Sequence, residues 1–437
     1  MELSPELIGW GGMLGLLVLL FLKIPIAYVL SFVGFIGYWM VSGLDQALSI
    51  TGMTFYSTIG SYSFSVVPLF LIMGYFAFHT GIITDLYSTA RKWIGHIPGG
   101  LALATIAGGA GFGAASGSGI ASTATLARVT IPEMIQGGVD RKLAYGVVAS
   151  AGPLAQMIPP SIMMVMYAII AEQPVGELLI GGILPGITTA LLYMAMVYLK
   201  VKMKPALAPP ISKVPWGERI SSLKGTWGFL LLAFIIIVGI YTGIFTPTEA
   251  GAVGAFVSFC MALCMKRLNK NTLKDSVKET IKTTSMVFFI VGSCFLFGNF
   301  LGITRLPMTI SEFLTQLPVD PMIILIGIVI MYLILGMFID MLAAMFLTLP
   351  IILPAIHALG FDLVWFGVLL VFLAEVALVT PPFGISLFII KGTVPNSQFN
   401  EIVQGSLPFI LVDLVIIALL IIFPEIITFL PHLMGGK

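Results

Sequence analysis

The sequence predicts an all-α polytopic membrane protein made of two inverted repeats, each with a re-entrant helical hairpin and a broken transmembrane helix. Three observations carry this reading. First, 58% of the 437 residues are hydrophobic and only 9% are charged, where a soluble domain carries about a quarter charged residues. Second, tandem prolines stand inside two long apolar runs, at Ile158-Pro159-Pro160-Ser161 and Thr380-Pro381-Pro382-Phe383. A proline in a membrane helix removes a donor and frees a carbonyl that lipid cannot satisfy, so such a break must be buried in protein or line a polar cavity. Third, short motifs recur in the same order at a nearly constant spacing. Phe70–Gly74 matches Phe288–Gly292 and Thr130-Ile131-Pro132 matches Thr348-Leu349-Pro350, each shifted by 218 (74 to 292, 132 to 350). The proline pairs are shifted by 222 (159 to 381), and Leu184-Pro185 to Leu407-Pro408 by 223 (185 to 408). A slow, one-directional drift is what loop insertions produce in a duplicated unit.

Apolar runs of spanning length fall at 5–22, 24–41, 64–83, 145–168, 178–199, 227–244, 250–265, 284–303, 363–392 and 406–430. The first is read as a retained span, because Glu2 and Glu6 stand where a signal peptide has basic residues. Segment 48–62 is rich in Ser and Thr and reads as an interfacial or half-buried helix. Stretches 97–134 and 321–357 are long enough to enter and return, and Gly, Ser or Asp interrupts their centres, so both read as re-entrant hairpins. The resulting organisation is 1–63 as N-terminal scaffold helices, 64–199 as the first repeat, 200–283 as surface arms and scaffold spans, and 284–430 as the second repeat.

Basic residues set the sides of the membrane. Arg91-Lys92 and Arg141-Lys142 flank the first hairpin, and further clusters fill 200–224 and 266–282. All of them are cytoplasmic in one assignment, which puts both termini outside and opens the two hairpins to opposite sides. The repeats are therefore inverted, about a pseudo-two-fold axis in the membrane plane. The linkers 200–226 and 266–283 are too charged to span. They read either as amphipathic helices on the inner surface or as plain basic loops.

The first hairpin turns in Gly111–Thr123, a run of Gly, Ala, Ser and Thr, and the broken helix expected to face it reads Ala151–Pro160. Small residues let backbones approach, and freed carbonyls with hydroxyls can replace the water shell of a cation. Without His or Cys nearby, a hard monovalent ion such as sodium suits these oxygens better than a transition metal. The first set, read as an ion site or as plain helix packing by small residues, is Ser116, Gly117, Ser118, Ser122, Gly152, Ile158 and Pro159. The second is Gly336 and Asp340 with Val379, Thr380 and Pro381. Asp340 and Glu375 are acids in hydrophobic sequence, where a charge costs roughly 2.5–3.5 kcal/mol on the insertion scale. Asp340 reads as an ion ligand or a helix cap, and Glu375 as a proton carrier or a neutral core acid. Arg128 reads as an anchor for a substrate carboxylate, as a side chain snorkelling to the interface, or as a partner of Glu133. Thr125, Gln156, Ser161 and Ser386 are further candidates for substrate contact. Thr246 or Thr248 reads as the cap of the helix that follows, with Glu249 near its start. Cys260, Cys264 and Cys294 read as small core residues, and the four histidines as structural. A net charge of +1 gives no reason to expect nucleic acid. The glycines at 108–119 follow no strand, so dinucleotide binding is set aside.

Four stretches together resemble one family: Ser116–Ser118 through Ile131–Met134, Ile158–Ser161, Phe245–Ala250, and Gly336–Asp340 with Thr380–Pro382. This is the large membrane (M) subunit of tripartite ATP-independent periplasmic (TRAP) transporters, within the ion transporter superfamily, and the likeness covers about residues 5–430. The resemblance implies a sodium-coupled importer of organic acid anions (C4-dicarboxylate, sialic acid or another carboxylate) in the bacterial inner membrane. It implies an elevator in which hairpins and broken helices slide against a static scaffold, and no enzymatic activity. It also implies two partners, a small four-helix membrane (Q) subunit and a periplasmic substrate-binding (P) protein. Sodium ligation carries over to Ser116, Ser118, Gly152 and the carbonyls before Pro159, and to Gly336, Asp340 and Thr380. A small residue is usual where Arg128 stands, which marks Arg128 as a candidate for selectivity. The alternatives are a stand-alone sodium- or proton-coupled carboxylate carrier of related fold and, more remotely, a membrane-embedded enzyme using Asp340 with Glu375.

Overall fold

In the computed structural model, residues 4–22, 24–339 and 341–434 are described, and every regular element among them is a helix. Helices α1 (Pro5–Phe21), α2 (Ile26–Ser42) and α3 (Leu44–Gly60) come first. The polar segment expected at 48–62 is thus helical, as α3. Next are α4 (Val66–His79), α5 (Ile82–Ile94), α6 (Gly100–Ser116), α7 (Gly119–Gln136), α8 (Arg141–Ala151) and α9 (Ile162–Ile170). They are followed by α10 (Val175–Gly181), α11 (Ile183–Met203), α12 (Trp216–Tyr241), α13 (Pro247–Cys264) and α14 (Lys270–Thr304). The chain ends with α15 (Leu306–Gln316), α16 (Pro321–Phe338), α17 (Met341–Ala358), α18 (Leu363–Val379), α19 (Ile385–Thr393), α20 (Phe399–Ile422) and α21 (Glu425–Met434). Among the described residues, eight segments are long and apolar enough to cross a bilayer. Stretch 97–134 holds α6 and α7, which pack on each other, and stretch 321–357 holds α16 and α17; the tandem prolines fall between α8 and α9 and between α18 and α19.

Several boundaries differ from the sequence reading, each for a local reason. The span expected over 64–83 stops at His79, because Gly81 takes a left-handed conformation (φ +73) and a new helix, α5, begins there. Arg305, also left-handed at φ +58, separates α14 from α15 in the same way. The run expected over 406–430 divides at Pro424 into α20 and α21. Residues 270–283 of the basic segment and the span 284–303 form one 35-residue helix, α14, since no Gly or Pro interrupts it before Gly292. Likewise α12 begins at Trp216, well before the span expected from 227, so the arms extend the spans rather than standing apart. Only Cys294 is buried; Cys260 is half-buried and Cys264 exposed, which corrects the reading of all three as core residues.

The chain divides into two compact units. The first comprises residues up to Ser65, Ile281–Met331 and Ile339–Leu363. Here glycines let helices approach α14: a Cβ on Gly34 would lie 2.9 Å from the Phe297 nitrogen, and one on Gly37 would lie 2.4 Å from the Phe300 ring. Polar ties join the same helices. Ser31 and Ser293 share a 2.6 Å hydrogen bond, and the Asn299 amide donates to Thr54 at 3.1 Å.

The second unit comprises Val66–Thr280, Tyr332–Phe338 and Val364 onward. Its core gathers Leu103, Leu126, Val148, Tyr193, Val379, Leu387 and Phe409, from helices far apart in sequence. At the start of α13 the Thr246 hydroxyl accepts from the Glu249 N–H, while the Glu249 carboxylate accepts from the Thr246 N–H at 2.8 Å. This reciprocal cap selects Thr246 over Thr248. Thr246→Ala is expected to cost about 1 kcal/mol, read as a small drop in the melting midpoint of purified protein with transport retained.

Candidate functional site

The first candidate site is built from two chain breaks pressed together. At the hairpin tip, α6 ends at Ser116 and Gly117 turns left-handed (φ +59), its N–H donating to the Gly113 carbonyl at 3.0 Å. Ser118 is extended and caps α7 by accepting from the Ala121 N–H at 3.4 Å. Two residues thus reverse the chain, leaving the last carbonyls of α6 beside the first N–H groups of α7. The Ser116 side chain lies outside the described atoms.

The facing break runs from Gly152 to Ser161. A tight turn covers Pro153–Gln156, and α9 restarts behind Ser161, whose hydroxyl accepts from the Met164 N–H at 3.3 Å. Pro153, Pro159 and Pro160 have no N–H, so the carbonyls of Ala149, Ala155 and Gln156 receive no helical donor. The peptide bond between Pro159 and Pro160 is cis, as is that between Pro381 and Pro382.

Glycines let the hairpin sit on this break, backbone against backbone. A Cβ on Gly109 would fall 2.4 Å from the Ala151 carbonyl oxygen, and one on Gly113 would fall 2.7 Å from the Ala155 Cα. A Cβ on Gly117 would fall 2.6 Å from the Pro160 carbonyl oxygen, and one on Gly119 would fall 2.9 Å from the Pro153 Cα. From the other side, a Cβ on Gly152 would reach within 2.0 Å of the Thr123 hydroxyl. The tip residues Gly117 and Gly119, the break and Ser161 therefore lie together, as the sequence suggested. Gln156 joins them: its amide nitrogen lies against Gly119, and its carbonyl oxygen is buried without a hydrogen-bond partner. Ser122 is fully buried one position before Thr123. Ile158 and Pro159 complete the break, with Pro159 buried.

Two half-helices end here, α6 and α8, and two begin here, α7 and α9. Helix C-termini carry partial negative charge and N-termini partial positive charge. The contact therefore sets the C-terminal ends of α6 and α8, rich in acceptors, beside the serine-capped N-termini of α7 and α9.

At the second break α18 ends at Val379, which is fully buried, and the Thr380 hydroxyl donates to the Val376 carbonyl at 2.6 Å. The chain folds back so that a Cβ on Gly384 would lie 2.8 Å from the Leu378 oxygen and 3.0 Å from the Thr380 oxygen. Carbonyls thus converge here too. Gly336 and Pro381 are half-buried, while Pro382 and Phe383 are exposed. The Phe338 and Phe383 rings lie 5.6 Å apart, which brings the end of α16 to this break. Asp340 lies outside the described residues.

Of the substrate candidates, Ser386 is fully buried on α19, and its hydroxyl is 3.3 Å from that of Thr123. It thus meets the first hairpin, although it follows the second break in sequence. The Thr125 hydroxyl donates to the Ala121 carbonyl at 2.9 Å, along its own helix. Arg128 is exposed on α7, about 15 Å along the helix from Ser118. Glu133 pairs with Arg91, so the Arg128–Glu133 pairing considered from sequence is not formed. Glu375 is fully buried on α18, and Asp413 is fully buried on α20. Sequence reasoning passed over Asp413, an isolated acid in a run of Leu, Val and Ile.

The family model for the tripartite ATP-independent periplasmic transporter, DctM component, matches residues 13–426. The C4-dicarboxylate TRAP transporter large permease protein DctM of Pseudomonas aeruginosa is 34% identical over 383 residues, covering 87% of this chain and 88% of that one. The sialic acid TRAP transporter permease protein SiaT of Haemophilus influenzae is 30% identical over 419 residues, covering 96% of this chain and 67% of that one. Among solved structures, the Alcanivorax borkumensis YdaH transporter superposes with a TM-score of 0.64 at 14% identity, over 87% of this chain and 88% of that one. At that identity the likeness is one of fold.

Proposed function

The chain belongs to the DctM-component family of tripartite ATP-independent periplasmic transporters, and from that premise we propose that it is the membrane permease of a sodium-coupled, binding-protein-dependent importer of organic acid anions. The observation that carries the proposal is the seating of the Gly117–Ser118 tip on the Pro153–Pro160 break. It places carbonyls without helical donors beside two serine-capped helix N-termini. Broken half-helices are the arrangement by which membrane carriers hold a cation and a carboxylate at one depth.

In this reading the first sodium site draws on Ser116, Gly117, Ser118, Ser122, Gly152, Ile158 and Pro159. The second draws on Gly336, Asp340, Val379, Thr380 and Pro381. Gln156, Ser161 and Ser386 line the substrate cleft, with Thr125 beside it and Arg128 as a selectivity residue on its flank. The substrate is a carboxylate of the kind named for the relatives, a C4-dicarboxylate or a sialic acid. Its partners are a small four-helix membrane subunit and a periplasmic binding protein. The protein resides in the bacterial inner membrane with both termini periplasmic.

Alternating access of the elevator kind follows from treating the two halves as inverted repeats. The helix order supports this: α4–α5, a hairpin, a broken helix and α11 are matched by the end of α14 with α15, a hairpin, a broken helix and α20. Reconstitution with the small subunit and a binding protein tests the proposal. Uptake is expected to require an inward sodium gradient and to fall to background when the binding protein is withheld. Uptake indifferent to sodium refutes the coupling. Uptake that persists without a binding protein identifies a stand-alone carrier instead.

A further inference from the structure

A cavity of about 490 Å³ opens in the second unit between α5, the segment 211–214 and the start of α12. Ser88, Arg91 and Lys92 line it from α5, Ser212 and Val214 from the segment, and Glu218 from α12. None of these residues belongs to a hairpin tip or a helix break. The walls are tied at several points. The Ile211 N–H donates to the Gly95 carbonyl at 3.2 Å, and the Val214 carbonyl accepts from Arg219 Nε at 3.0 Å. Where α5 crosses α12, the Trp93 indole donates to the Arg219 carbonyl at 3.2 Å and the Thr89 hydroxyl to the Ser222 carbonyl at 3.0 Å. The Trp93 and Trp216 rings meet edge-on with centroids 6.1 Å apart. The cavity is thus set by packing between fixed elements.

Its surroundings carry a surplus of positive charge. Lys92 is half-buried and, among the described residues, forms no ion pair. Arg91 pairs with Glu133 on α7, but a guanidinium has five N–H donors, so one carboxylate does not exhaust it. Arg219 is only 8% exposed, and its neighbours are the Val214 carbonyl, His96 Nδ1 at 3.4 Å and the Trp216 ring at 5.2 Å. Among the described residues no carboxylate pairs with it. Lys213 is exposed on the segment itself. Helix α12 starts behind Pro215 with no side-chain cap, so its first N–H groups add partial positive charge. On the acidic side stand Glu218, in the lining, and Glu133, already paired. Asp85, two turns before Lys92, is held by Arg267 at 2.6 Å, and α6, packed on α5, carries no charged residue. Four basic side chains (Arg91, Lys92, Lys213 and Arg219) therefore stand against two acids (Glu133 and Glu218). Charge held away from water is stabilised by a counter-charge in direct contact.

We propose that this cavity is a binding site for a phosphate group, held by the Lys92 ammonium, the Arg91 donors that Glu133 does not use, and the Ser88 and Ser212 hydroxyls. Lysine binds phosphate as a point charge, and arginine through its planar fork. The site stands apart from the sodium-coupled reading and does not depend on it. The basic residues assign this end of α5 to the cytoplasmic side, where anionic phospholipid headgroups and free phosphate offer the same chemistry. Glu218 is the one lining group that opposes an anion, and this gives the proposal a sign to test.

The test uses the purified full-length chain in a sugar-based detergent, with Trp93 and Trp216 beside the cavity as fluorescent reporters. Added inorganic phosphate is expected to give a saturable change in emission. Lys92→Gln is expected to raise the half-saturating concentration about fivefold, and Glu218→Gln to lower it about threefold, because one change removes an attraction and the other a repulsion. Lys92 is half-buried and Glu218 exposed, so neither substitution disturbs the core. Simple damage to the wall would weaken binding in both variants; opposite shifts require an anion in contact with both positions. Mixed micelles containing phosphatidylglycerol separate the two sources. A half-saturating concentration raised by this lipid assigns the cavity to the headgroup, and an unchanged one assigns it to free phosphate. A wild-type signal that does not saturate overturns the proposal. So do shifts of the same sign in the two variants, and so do reversed signs, which would make the cavity a cation site.

Discussion

Gly405→Val is expected to leave little or no folded permease. Helices α8 and α20 cross where Gly146 meets Gly405, both buried. A Cβ on Gly405 would lie 2.0 Å from the Lys142 carbonyl oxygen and 3.0 Å from the Gly146 nitrogen. A Cβ on Gly146 would lie 2.0 Å from the Gly405 oxygen. These neighbours are backbone atoms of a helix, so no rotamer change relieves the collision and the helices must part. Parting them opens the core around Val148, Phe409 and Tyr193. Overfilling a packed interior costs about 1–3 kcal/mol, sometimes more, and valine adds branching to a Cβ that already does not fit. A loss of 3 kcal/mol or more is about the size that removes a marginally stable fold. The measurement is the yield of monodisperse protein in detergent and its melting midpoint. Gly217→Ala is the control: Gly217 is exposed in the first turn of α12, and a Cβ there meets nothing within 4 Å. That change is expected to be neutral or to stabilise by up to about 1 kcal/mol. Equal yields from the two variants would show that the α8–α20 crossing is looser than its geometry implies.

The same glycine logic explains what the sequence could and could not reveal. Tandem prolines inside apolar runs announce a break anywhere, because proline lacks a donor whatever surrounds it. The Gly-Ser-rich run 111–123 announces a tight turn for an equally local reason. Both breaks and the first hairpin tip could therefore be read, and so could the Thr246–Glu249 cap. The partners of these elements were harder to read. Thr123 meets Ser386 across 263 positions, and Tyr193 meets Asp413 across 220. Such contacts depend on which helices pack, and nothing in the neighbouring residues encodes them. Glu375 was legible as an acid in an apolar run, and Asp413, within Leu-Val-Asp-Leu-Val, carries the same signal, which the sequence reading passed over. Arg305 illustrates a different obstacle. A left-handed arginine is uncommon, so the end of α14 carries no glycine flag of the kind that ends α4 at Gly81.

Gly152→Ala is expected to abolish or strongly weaken sodium-activated uptake while the protein still folds. The backbone at Gly152 (φ −65, ψ −56) suits any residue, so the substitution adds no conformational strain. The cost arises only from contact: the new methyl would lie 2.0 Å from the Thr123 hydroxyl and 2.7 Å from the Thr123 Cα. The hydroxyl can rotate away; the Cα cannot. Helix α7 must therefore move off the break, carrying Ser118 and Gly119 with it and lifting the tip from Pro160. Carbonyls that converge on one cation lose it steeply when they separate, because each contributes only at direct contact. A half-saturation constant for sodium raised tenfold or more, about 1.4 kcal/mol per factor of ten, is the expected result in proteoliposomes, alongside a melting midpoint within a few degrees of wild type. The Thr123→Ala background sharpens the test. Removing the hydroxyl clears the shorter contact but leaves the Cα in place, so the double variant is expected to remain defective. If Thr123→Ala restores sodium activation, only a side chain was in the way and the two backbones are not in obligatory contact. If Gly152→Ala alone keeps the wild-type sodium curve, the seated hairpin is not where sodium binds, and the site must be sought at the Thr380–Gly384 break.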